Sequence, residues 1–170
     1  MGKRNICPRF TAESGFYLYL AILLLLVPFR WVLAMGISVG IHELGHIVAI
    51  SFMKIPVLQV SLKALRIQIH TQSMTPSQEL ICAAAGPLAG SMLILLAKWL
   101  PATSVCAAIH CMYNLLPLYP SDGGRVLRSV LRLWVQESTA AFIERTVRSI
   151  VLLTLLGIGI AAAVTYGKWK

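Results

Sequence analysis

Acidic side chains are scarce: six Asp and Glu stand among 170 residues against 15 Lys and Arg, and charged residues make up only 12% of the chain. A soluble globular domain carries about a quarter charged residues, so that class is excluded. The four cysteines, Cys7, Cys82, Cys106 and Cys111, form no CxxC pair and no regular framework. That excludes a zinc knuckle and a disulfide scaffold and leaves free apolar thiols. A cleavable signal peptide is also excluded. Lys3 and Arg4 precede an apolar run from Phe16 to Val27, but Pro28-Phe29-Arg30-Trp31 follows in place of small residues, so the run reads as a short membrane anchor. Nor does the net charge of +9 gather into one basic face, as it would in a nucleic-acid binder. No nucleic acid is expected among the partners, and no internal repeat or Pro-rich linker divides the chain.

What is present is apolar: 58% of the residues are hydrophobic. Five runs stand out, Phe16 to Phe29, Trp31 to Met53, Leu80 to Ala97, Ala102 to Leu118 and Ile150 to Tyr166. Crossing a hydrocarbon core of about 30 Å takes about 20 residues, so these runs fill the chain and leave no room for a second domain. Between the second and third runs, Leu58, Val60 and Leu62, then Leu65, Ile67 and Ile69, alternate with polar neighbours. Period two predicts a hairpin turning at Lys63-Ala64. After Gly123-Gly124, Arg125, Arg128 and Arg132 recur at helical offsets among apolar residues, which predicts a basic helix at the membrane interface that anchors to anionic lipid. The expected fold is an all-α integral membrane protein: a single domain, 1–170, of about five membrane helices with a small β-hairpin and a basic interfacial helix.

With the N-terminus in the cytoplasm, five spans put Lys3, Arg4, Arg9, Lys54, Lys63, Arg66, Arg125, Arg128, Arg132, Arg145 and Arg148 inside and only Arg30, Lys98, Lys168 and Lys170 outside. That asymmetry sets the orientation. It places the end of the second helix, the hairpin and the basic helix on the cytoplasmic side.

The chemistry lies in His42-Glu43-Leu44-Gly45-His46, within the second run. Four residues advance an α-helix by about 400°, so His42 and His46 share a face and can share one zinc ion. Glu43 then sits beside the ion without ligating it, where a carboxylate takes a proton from water that zinc has acidified. Ionisable groups inside a membrane helix are costly and mark function. A metal-free contact between helices would need one polar residue and no ligand spacing. A third ligand has to come from elsewhere: the extended zincin pattern would need Gly and His where Ala49 and Phe52 stand. Of the remaining carboxylates, Glu13, Glu137 and Glu144 lie in flanking segments and Glu79 precedes the third run. Asp122 is the chain's only Asp, in Asn114-Leu-Leu-Pro117-Leu-Tyr-Pro120-Ser121-Asp122-Gly-Gly124. Two prolines break the fourth helix there, and irregular backbone at membrane depth has to line a cavity or be buried in protein. Asp122 is therefore either a ligand presented by the break or an ordinary turn residue.

Taken together, His42-Glu43-Leu-Gly-His46, Ala85-Gly86-Pro87-Leu88 and Asn114-x-x-Pro117-x-x-Pro120-x-Asp122-Gly-Gly resemble the site-2 protease family of intramembrane zinc metalloproteases. The likeness runs from Trp31 to Arg132. It is strongest to the compact bacterial branch without a PDZ domain that includes stage IV sporulation protein FB. The resemblance implies zinc held by His42, His46 and Asp122, Glu43 as catalytic base and Asn114 as a substrate-binding residue. It also implies a membrane-associated protein as substrate, in that branch a sporulation regulator precursor. Ser121 stands where the family often has Leu, and Gly90 where it often has Asn, which touches substrate handling more than catalysis. The chain also stops too soon for a CBS domain, so nucleotide sensing is not carried over.

Two other histidines weigh less. His70 ends a strand and His110 precedes Asn114 by four residues; each is read as a polar contact, not a ligand. Rival functions are a metal-binding membrane transporter, which would spread ligands along a path, and a non-catalytic binding relative, which would have lost Glu43 or a ligand.

Overall fold

The computed structural model describes residues 9–63 and 66–167. Along them run β1 (Arg9–Ala12), α1 (Ser14–Leu26), α2 (Phe29–Phe52), β2 (Val57–Lys63), β3 (Arg66–Thr71), α3 (Pro76–Ile94), α4 (Pro101–Asn114), α5 (Asp122–Trp134) and α6 (Glu137–Gly167). The boundaries follow local chemistry. α1 stops one residue short of Pro28, because the residue before a proline is pushed out of helical geometry. α3 starts in a capping box: Gln78 N–H donates to Thr75 Oγ1 at 3.3 Å, Thr75 N–H donates to Gln78 Oε1 at 3.0 Å, and Pro76 takes the first helical position. α2 ends with Lys54 in the left-handed region at φ 55°. Lys54 N–H bonds Ser51 O at 3.0 Å and Ile55 N–H bonds Ile50 O at 3.1 Å. This paired closure satisfies two carbonyls and turns the chain into β2.

The expected hairpin is part of a larger sheet. β2 and β3 pair antiparallel from Val57↔Thr71 to Lys63↔Arg66, while β1 adds to the other side of β2 in parallel register, Arg9↔Gln59 to Ala12↔Leu62. The turn expected at Lys63-Ala64 falls partly outside the described residues. β1 is fastened by side chains: Gln59 Nε2 donates to Thr11 Oγ1 and to Ser61 Oγ, each at 3.0 Å, and the two hydroxyls lie 3.1 Å apart. Arg9-Phe10-Thr11-Ala12 alternates for only four residues, too short a run to stand as a strand signal, and a parallel partner fifty residues away leaves no local trace.

α2 is the central element, packed on α3 and α4, with α3 also against α4 and α5. Its buried residues are Ala34, Ser38, His42, His46 and Ile50, one at every fourth position. Close approach to α3 depends on Gly45: a Cβ there would stand 2.5 Å from Ala85 O and 2.7 Å from the Ala89 Cβ. Around this core the outer helices are apolar and open. α1 buries no residue and α6 buries only Ala140, while Leu25 is 83% exposed and Leu153 67% exposed. Apolar area of this extent needs a non-aqueous neighbour. Two of the described helices, α2 with 24 residues and α6 with 31, are long and apolar enough to cross a membrane, where five runs suggested about five spans. At about 1.5 Å per residue, α1 extends only ~20 Å and α4 ~21 Å.

The expected basic helix is α5. α5 packs on α3, and each of its arginines has a carboxylate partner: Arg125 faces Glu79, Arg128 faces Glu144 and Arg132 faces Glu137. Arg128 also lies over the Tyr119 ring. The carboxylate partners come from α3 and α6, so the pattern within α5 could not show them.

Candidate metal centre

His42 and His46 project from one face of α2 toward α3 and the start of α5. His42 Nε2 lies 2.9 Å from Asp122 Oδ2, His46 Nε2 3.2 Å from the same oxygen, and the two Nε2 atoms 3.2 Å apart. All three residues are buried. Three ligand atoms thus close a triangle whose edges suit a small ion bonded at about 2.0–2.1 Å to each corner. The hydrogen positions argue the same way. His46 Nδ1–H donates to Cys82 O at 2.7 Å, so in the neutral ring the Nε2 lone pair points at the Asp122 carboxylate, which has only lone pairs to offer. A carbonyl partner of this kind fixes the tautomer that ligates a metal. The residues present fit zinc, or another ion of that size taking nitrogen and carboxylate oxygen.

Asp122 is held from both sides. It is the first residue of α5, where a carboxylate is favoured by the helix dipole. Its other oxygen, Oδ1, lies 3.5 Å from Arg125 Nη1, and Arg125 Nε lies 3.6 Å from Glu79 Oε1. Gly123 and Gly124 set its position: Cβ atoms there would strike the backbone of Leu115 and Leu116 and of Leu118 and Tyr119, respectively. Ser121 closes the intervening loop, its hydroxyl 2.6 Å from Leu116 O and 2.7 Å from Leu118 O.

At Gly86, α3 presents no side chain to the two imidazoles. A Cβ on Gly86 would overlap His46 Nε2, stand 2.5 Å from His46 Cε1 and 2.8 Å from His42 Nε2. It would fill the space that the ligand atoms enclose. Gly86→Ala is therefore expected to weaken zinc affinity about tenfold or more while the protein keeps its helical content; metal titration beside circular dichroism checks both halves.

Glu43 contributes nothing to the triangle. It is half-buried, within electrostatic reach of His42, His46, Asp122 and Arg125, and lines a cavity of about 1310 Å3 that the three metal-site residues also line. Asn114, at the end of α4, lines the same cavity. His110 does so as well, its ring 4.6 Å from that of His42 and nearly perpendicular at 87°. It makes the polar contact expected of it, with Asn114, but it does so inside the site. His70 lies exposed on β3. The sequence reading assigned no site role to the Cys82 carbonyl, Gly86, Arg125 or His110. A backbone carbonyl has no signature at all, whereas Gly86 showed only as part of a small-residue segment.

Paired histidines on one helix and an aspartate at the start of another, lining one cavity in a helical bundle with a small mixed sheet, define the architecture. A solved structure, the Site-2 Protease from Methanocaldococcus jannaschii, is similar to this chain in fold at a TM-score of 0.66. The alignment covers 96% of this chain and 85% of that one, at 20% sequence identity, and establishes the fold. No protein-family model matches the chain, and no curated protein matches its sequence.

Proposed function

We propose that this chain is an intramembrane zinc metalloendopeptidase that hydrolyses a peptide bond within or near the transmembrane segment of a membrane-associated protein. The observation that carries the proposal is the convergence of His42 Nε2, His46 Nε2 and Asp122 Oδ2 with Glu43 beside them on a cavity wall, in a bundle folded like a site-2 protease. When bound, zinc supplies Lewis acidity and lowers the pKa of its water to about 7. His42, His46 and Asp122 hold the ion, Arg125 and Cys82 O orient two of those ligands, and Glu43 accepts a proton and returns it to the leaving nitrogen. Asn114, which lines the same cavity, holds the substrate backbone. The substrate segment has to leave helical form before its peptide bonds are reachable.

Among the described residues only one cluster of metal-ligating groups occurs. That favours a single reaction centre over a transporter's chain of sites, and the presence of Glu43 favours an enzyme over a non-catalytic relative. The test is a purified preparation mixed with a labelled membrane substrate. Cleavage that stops with chelator and returns with zinc supports the proposal; cleavage indifferent to chelator overturns it.

The finer assignment places the chain in the compact bacterial branch resembling stage IV sporulation protein FB, with a regulator precursor, as in sporulation, for substrate. It places the active site toward the cytoplasm of a bacterial membrane, with α1, α2, α3, α4 and α6 as five crossings. Reporter fusions after Lys63 and Arg132 are expected to report cytoplasm, and one after Lys170 the opposite side. A cytoplasmic signal at Lys170 would remove the five-span count and leave the metal centre untouched.

A further inference from the structure

Asn114 has its amide group fully committed on one side. Its Nδ2 donates to the main-chain carbonyl of His110 at 3.1 Å and to His110 Nε2 at 3.0 Å. A carbonyl can only accept, so the first bond fixes which end of the amide is nitrogen. The second then fixes the histidine: Nε2 accepts, and its ring proton resides on Nδ1. Both amide hydrogens are used within one helical turn of α4. What remains is Oδ1, which makes no hydrogen bond among the described residues, on a side chain that lines the cavity beside Glu43 and the metal ligands.

We infer that Asn114 acts on its guest solely as a hydrogen-bond acceptor, taking a backbone N–H of an extended segment, and that His110 is the positioning residue that keeps the amide turned that way. An asparagine facing a carbonyl or a developing oxyanion would have to present its nitrogen; here the nitrogen is occupied. The ring of His110 is itself steadied by its edge-to-face contact with His42, so the orientation of Asn114 is tied to the metal-bearing helix. The inference rests on the proteolytic reading only for the identity of the guest, a peptide. It adds that the site reads an N–H near the scissile bond, so a residue lacking one, such as proline, is excluded at that single position.

The test uses the full chain carrying Glu43→Gln, loaded with zinc, so that bound peptide is not consumed. The probe is a labelled synthetic helix of about 20 apolar residues with a Gly-Pro break at its centre. In a matching series, each central backbone N–H is replaced in turn by an ester oxygen. One ester position is expected to weaken binding about fivefold to tenfold, the worth of one lost hydrogen bond. The same ester should cost nothing further once Asn114→Ala is added. His110→Ala should lower the ester penalty at least twofold, and His110→Gln, whose Oε1 can accept from the amide, should restore it. Ester penalties that stay equal with and without Asn114 overturn the inference. So does a coupling that appears only when the peptide carbonyls are changed to thioamides, which would make Asn114 a donor. Cleavage by the parent protein with and without chelator is measured in parallel. Cleavage that is absent without chelator, or indifferent to it, while the ester coupling stays intact overturns the protease reading alone.

Discussion

Glu43→Gln is expected to abolish cleavage, by at least about a hundredfold, while the purified protein keeps about one zinc per chain. The side chain is absent from the ligand triangle of His42, His46 and Asp122, so its loss removes a proton acceptor and no metal bond. Glutamine preserves size and part of the polarity, which limits the change to the proton. Metal analysis beside a cleavage assay separates the two functions. Near-parent cleavage by the variant would require another base, and zinc lost together with activity would make Glu43 a ligand.

Asp122→Ala should lose both zinc and cleavage, with affinity for the ion reduced about a hundredfold or more. Two nitrogens one helical turn apart leave a zinc ion with too few protein ligands. The carboxylate also separates His42 and His46 from Arg125, whose Nη1 lies 3.5 Å from Asp122 Oδ1. Removing it sets a cation against two imidazoles with Glu79 and Glu43 as the remaining counter-charges. Asp122→Glu keeps the charge and should retain part of the metal. Competition with a chromophoric chelator measures each constant. If Asp122→Ala binds zinc as tightly as the parent, the third ligand lies elsewhere, and Glu79, 3.6 Å from Arg125, is the next to replace.

How much of this could be read from the chain depends on sequence distance. His42, Glu43 and His46 are legible because their relation is local: one turn of one helix sets it. Asp122 is half legible. The prolines around it announce a break, but its meeting with His42, eighty residues away, depends on how α5 docks. The arginines of α5 were readable as a row and unreadable as ion pairs, since Glu79, Glu137 and Glu144 belong to other helices. β1 gave no signal because a four-residue strand acquires its meaning from β2. Gly86 shows the limit most sharply. A glycine in a helix can mean packing, hinge or nothing, and only the positions of the two imidazoles show that it leaves room for an ion.

The buried row on α2 has a geometric consequence. Residues four apart are turned by about 40° from one step to the next, so the line from Ala34 through Ser38, His42 and His46 to Ile50 winds about 160° round the helix. Partners that follow such a line cannot lie alongside α2 for its whole length; they cross it. At the crossing the backbones nearly touch, at Gly45 against Ala85, and there the histidines are clasped. Further along the same helix, Gly36 and Gly40 would meet nothing within 4 Å if given a Cβ, and both face the cavity. One sequence feature, a small residue in a helix, thus serves opposite ends: at Gly45 it lets a joint close, and at Gly36 and Gly40 it keeps a vestibule wide.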